Sequence, residues 1–73
     1  MTTDHLDPKA RALILFAIAC KNQDSMTIKY HFFRAKELGC TSEELKAVVD
    51  LTRKDNTRYR REIEYVFKEL FMI

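Results

Sequence analysis

Leu13-Ile14-Leu15-Phe16-Ala17-Ile18-Ala19-Cys20 runs apolar for eight residues, more than two turns of a helix at about 3.6 residues per turn. Hydrophobic side chains therefore point in every direction around the axis, and a helix of this kind has to be surrounded. Just upstream, Asp7-Pro8 supplies a start signal. Asp accepts backbone N–H bonds at the cap, and Pro suits the first helical position because it has no N–H to leave unpaired. A first helix from Pro8 to about Lys21 follows.

Working outward, Lys21-Asn22-Gln23-Asp24-Ser25 is a polar break in which Asp24 or Ser25 can cap the next helix. That helix spans about Met26 to Leu38 and stops at Gly39, the residue type that most readily takes a left-handed conformation. One stripe on it reads Ile28, His31, Phe32, Ala35, with Lys29, Lys36 and Glu37 facing elsewhere. Thr41 and Glu44 form a capping box that launches a third helix with Leu45, Val48, Val49 and Leu51 facing inward. Lys54-Asp55-Asn56-Thr57 reads as another break, although no Gly or Pro there prevents the third and fourth helices from running together. The last helix, Thr57 to about Phe71, carries Tyr59, Ile63, Val66, Phe67, Leu70 and Phe71 in helical period. The fold class is all-α: a compact four-helix antiparallel domain over residues 1–73, with 1–6 as a flexible tail, its short loops favouring antiparallel neighbours.

Composition agrees with helices. Of 73 residues, 47% are apolar and 33% charged, with one Gly and one Pro, against both disorder and a β-rich fold. A chain of this length buries only about 60% of the surface it exposes when unfolded, so its core needs support. Three short helices cover one broad face of the first helix, and the rest is left as an apolar patch of the kind that marks protein interfaces. Self-association through the first helical hairpin is expected, whether as dimer, trimer or hexamer.

The net charge of +2 is too small to imply a polyanionic partner. No apolar run approaches the roughly 18 residues of a membrane span, and the polar start lacks a basic signal region, which places the chain in the cytoplasm. Cys20 and Cys40 are the only cysteines. A helix of about 18 to 20 Å lies between them, so they are expected as free, buried thiols rather than a disulfide, and no zinc set can be written. His5 and His31 alone do not complete a metal site. No Gly-rich phosphate loop or Ser-His-Asp spacing appears, and no cofactor is expected.

Leu6-Asp7-Pro8-Lys9-Ala10-Arg11, the apolar helix after it, and Ile28-Lys29-Tyr30-His31 through Ala35, Gly39, Thr41 and Glu44 resemble the carboxymuconolactone decarboxylase and alkylhydroperoxidase D superfamily. The resemblance covers about Leu6 to Asp50. It implies a compact helical fold whose members assemble through an apolar helical hairpin, in agreement with the patch argued above. In the peroxidase branch a CxxC pair opens the helix bearing the histidine, and a glutamate on the preceding helix completes a proton relay. Carried over, the two cysteines fall on Asp24 and Thr27 and the glutamate near Ala12, so only His31 is retained. A helix N-terminus makes a thiolate available, whereas a carboxylate or hydroxyl there simply caps the helix. The resemblance thus points away from thiol peroxidation. Any catalysis would be that of a decarboxylase-like lyase, with His31 exchanging a proton. His31 is the candidate catalytic residue, with Tyr30 and Phe32 beside it as ligand-binding candidates for a small molecule held between subunits. A histidine satisfied within helix packing is the competing reading, and the residues leave both open.

A different class of function comes from Ala35 to Leu45, where small, Gly and apolar residues take helix-turn-helix positions. Arg53, Lys54, Arg58, Arg60 and Arg61 cluster just downstream around Tyr59 and suit a nucleic-acid backbone or a protein partner. Against this, Glu43 and Glu44 lead the helix that would enter the groove, and they repel phosphates. Pairs such as Arg58 with Glu62 and Arg60 with Glu64 account for the charges as a solvated face.

Overall fold

The computed structural model describes residues 7–72, and the expected tail, with His5 in it, lies outside them. Four helices follow one another: α1 (Pro8–Asn22), α2 (Ser25–Glu37), α3 (Ser42–Lys54) and α4 (Arg61–Phe71). The radius of gyration is 11.8 Å, close to the roughly 11 Å of a globular chain this long. Helix α1 packs against α2 and α3, and α4 lies on α2.

Local sequence signals set most of the boundaries. Asp7 accepts from the Ala10 N–H at 2.8 Å and Pro8 opens α1. Helix α1 ends at Gln23, which is left-handed at φ 54° without being Gly. Asp24, not Ser25, caps α2. Gly39 takes φ +97°, and two bonds close the end of α2: Gly39 N–H donates to Lys36 O at 3.0 Å and Cys40 N–H to Ala35 O at 3.0 Å. This paired arrangement satisfies carbonyls that a helix end otherwise leaves bare. The capping box is complete, with Glu44 N–H donating to Thr41 Oγ1 at 3.0 Å and Thr41 N–H to Glu44 Oε1 at 2.8 Å.

Two expectations are corrected further along. The last helix begins at Arg61 rather than Thr57, because Asn56 turns left-handed at φ 66° and residues 57–60 leave helical geometry. Helices α3 and α4 are accordingly separate. Leu51, expected inward, is 63% exposed. Thr52 takes the buried place instead, seven residues after Leu45 and so on the same side of the helix. Its hydroxyl donates to Val49 O at 2.6 Å and shares a bond with the Tyr59 hydroxyl, which satisfies a polar group that burial would otherwise penalise.

The core is built from Phe16, Ile28, Phe32, Leu45, Ile63 and their smaller neighbours, all but sealed from water. Tyr59 packs its ring edge-on to Phe67 at 4.9 Å, although it belongs to the linker and not to α4. Arg53 lies over both rings, 5.3 Å from Tyr59 and 5.9 Å from Phe67, and donates through Nη2 to Glu64 Oε1 at 2.6 Å. The expected pairs Arg58 with Glu62 and Arg60 with Glu64 do not form, since α4 starts too late to place Arg58 or Arg60 on its first turn. Arg53 takes Glu64, and Arg60 approaches Glu62 at 3.4 Å.

The Arg53 bonds hold the Glu64 carboxyl below its ordinary value. A carboxyl depressed in this way contributes stability above its unfolded value, and that contribution is lost as pH falls through the folded one. Acid titration of the unfolding midpoint from about pH 5 downward is expected to show a decline that Glu64→Gln makes shallower. An unchanged acid limb in the variant would show that the pair adds nothing.

Candidate functional site

Because Ile28, Phe32 and Ala35 turn inward on α2, their sequence neighbours Tyr30 and His31 emerge at its edge toward α1. His31 is half-buried and Tyr30 is 63% exposed, their rings edge-on at 5.0 Å. With Arg11, Leu15 and Arg34, and with Pro8, Ala12 and Leu38, they line a groove of about 470 Å³. The volume falls within the usual range of small-molecule sites. The groove carries apolar walls, one imidazole, one phenol and two guanidinium groups.

The remaining candidates are placed differently. Phe32, read as a ligand-binding residue from its position beside His31, is 1% exposed and packs against Phe16, Phe33 and Phe71. It is a core residue, because the apolar stripe turns it to the opposite side from Tyr30. Asp24 and Thr27, which fall on the peroxidase branch's cysteine positions, bond to each other: Thr27 Oγ1 donates to Asp24 at 2.9 Å, and Asp24 also accepts from the Met26 N–H at 3.1 Å. These bonds hold the Asp24 carboxyl below its ordinary value. Both side chains are spent on the cap. Ala12, near the relay glutamate's position, is buried beneath the groove.

Cys20 and Cys40 are free and buried, as expected. Burial pushes the Cys20 thiol up to about 12, and Cys40, also raised by burial, leans its Sγ on Lys9 O at 3.8 Å. Neither offers a thiolate near neutral pH. No group of three or more His, Cys, Asp or Glu among the described residues is placed to hold a metal, and none of their helices is long and apolar enough to cross a membrane.

Of the basic cluster, Arg53 is bound to Glu64, and Arg60 donates through Nη2 to Gln23 O at 2.8 Å. Lys54, Arg58 and Arg61 lie exposed around the connection between α3 and α4. Two of the five cations are thus paired within the domain.

Sequence reasoning missed the outer face of α2, where Met26 is 80% and Phe33 47% exposed beside Tyr30. Their spacing of three and four residues was the available signal. On α1, Ile14, Leu15 and Ile18 are each about half exposed, the outward half of the all-round apolar helix.

A four-helix all-α domain with a histidine groove between its first two helices, and no thiol in that groove, is the class that fold and site define. Residues 1–53 match the model of the Carboxymuconolactone decarboxylase family; this is most of the chain, which belongs to that family. No curated protein and no solved structure shows significant similarity to it.

The state of the two thiols is directly measurable. The native protein is expected to resist a disulfide-exchange reagent such as Ellman's over minutes at neutral pH, and to release two equivalents in denaturant. Rapid labelling without denaturant would refute their burial.

Proposed function

We propose that this chain is a non-redox member of its family, assembling with copies of itself through the outer face of α1 and holding a small molecule in the groove beside His31 and Tyr30. The observation that carries the reading is the groove itself: an apolar hollow with a titratable side chain in its wall and no thiol. Asp24 and Thr27, locked in a cap, supply no redox pair. If the protein has turnover, it is a decarboxylase-like lyase reaction in which His31 donates or accepts a proton. A histidine suits that task because its charge changes near neutral pH.

Self-association is supported by the run from Ala12 to Cys20, which has no charged residue and leaves Ile14, Leu15 and Ile18 about half exposed. Leu51 extends this surface from α3, sharing a shallow groove with Leu13, Ile14, Ala17 and Val48. Exposed apolar surface gathered in one place commonly marks a protein interface.

Light scattering after size-exclusion chromatography, across a dilution series, tests the assembly. A multimer is expected for the wild type and an 8.7 kDa monomer for Ile18→Glu, which places a charge in the middle of the face; a folded monomeric wild type overturns this part of the reading.

The groove is tested separately with an uncharged apolar probe, 1-octanol, followed by NMR. Shifts confined to the Tyr30 and His31 rings and to Leu15 are expected, whereas shifts scattered over the surface would remove the small-molecule reading.

A further inference from the structure

Arg11, Ile14, Ile18 and Lys21 follow one another along α1 at spacings of three, four and three residues, which sets them on one stripe of the helix. This stripe is the ridge of the apolar outer face, with Ile14 and Ile18 each about half exposed. Leu15 lies beside it on the side of α2, where it lines the His31 groove together with Arg11. The stripe reads the same from either end. A cation stands three residues outside each isoleucine, and the two cations are about 15 Å apart along the axis.

The ends differ in what accompanies the cation. Lys21 donates to Asp55 Oδ2 at 3.1 Å, and the Asp55 side chain is 75% exposed. Arg11 has no carboxylate within ion-pair distance among the described residues. A second copy laid parallel on the ridge sets Arg11 against Arg11 and leaves both without a counter-ion. A copy turned antiparallel about a two-fold axis, the commonest symmetry of self-association, sets Ile14 against Ile18. It also brings Arg11 to the end of α1 where Asp55 stands, with Lys21 using one of its two carboxylate oxygens. Complementary charge of this kind fixes the register of a contact more than its strength.

We infer that a second copy of this chain sits antiparallel on the Ile14 and Ile18 ridge and forms the outer wall of the His31 groove, with Asp55 of the partner subunit facing Arg11. Arg11 and Leu15 stand at the ridge and in the lining of the groove alike, so a copy that covers the ridge also bounds the groove. The His31 site is then incomplete in one chain alone. The inference rests on the self-association proposed above, and adds to it the orientation of the two copies and the residue that each lends to the other's groove.

A charge swap tests the register. In sedimentation equilibrium, Arg11→Glu and Asp55→Arg are each expected to weaken association about tenfold, since every two-fold contact holds the pair twice and each pair becomes a repulsion. The double variant carrying both changes is expected to associate nearly as the wild type does. A double variant no tighter than the singles, or a wild-type mass of three copies, which no two-fold contact builds, overturns this inference and leaves self-association standing. A monomeric wild type overturns both. The wall is tested by mixing isotope-labelled wild type with unlabelled Lys54→Cys protein carrying a nitroxide, the two native thiols being buried. Broadening of the Arg11, Leu15 and His31 signals is expected from the label beside Asp55 of the partner subunit. Broadening that spares these three residues in a mixture that does associate overturns the assignment of the partner to the groove.

Discussion

The contact on which the rest of the structure depends is that between Phe16 and Phe32, facing each other across the α1 and α2 hairpin with ring centroids 6.1 Å apart and tilted by 59°. Both are sealed from water. Tilted aromatic pairs add about 0.5 to 1.5 kcal/mol beyond the burial of their area. Their larger effect is geometric. With Phe32 pinned inward, successive residues of α2 are fixed in rotation about the axis, so Tyr30 and His31 must emerge beside α1 and Phe33 must face out. With Phe16 pinned inward, Ile14, Leu15 and Ile18 must turn to the surface. The groove beside His31 and the apolar outer face are both consequences of that one pairing.

Helix α4 completes the core over Phe32, laying Phe71 edge-on at 5.5 Å. Its start has no capping side chain of its own. The linker that leads into it is held by the α1 to α2 turn: Gln23 Oε1 accepts from the Arg60 N–H at 2.9 Å, its Nε2 donates to Arg58 O at 2.8 Å, and its backbone oxygen receives Arg60. One left-handed glutamine thereby does for the linker what a local cap does elsewhere. The Arg53 and Glu64 pair and the buried bond between Thr52 and Tyr59 hold the same junction from the α3 side.

What could be read from the sequence was what local chemistry decides. Asp7-Pro8, Gly39 and the Thr41 to Glu44 box each close a hydrogen-bond account within a few residues and stand where they were expected, and Asp24 is one of the two caps the sequence offered for α2. The start of α4 could not be read that way, because it is set by Gln23, whose side chain lies 35 residues or more from the groups it binds. Leu51 and Thr52 exchanged places for a related reason: hydropathy favours Leu inside, but helical phase favours Thr52, and Tyr59 made the exchange affordable by supplying a hydroxyl. At the candidate site, periodicity found the stripe containing His31 but not its depth. Ile28, Phe32 and Ala35 fill the centre and His31 the margin, a distinction that only the placement of α1 makes.

The same junction shows that the stretch matching the family and the unit that folds are not the same length of chain. The family model ends at Arg53, yet the carboxylate that holds Arg53 comes from Glu64 and the ring that closes over Phe32 comes from Phe71. A boundary drawn by sequence similarity would cut through an ion pair and unroof an aromatic cluster. For anyone grafting, fusing or shortening this domain, the serviceable seam lies beyond α4.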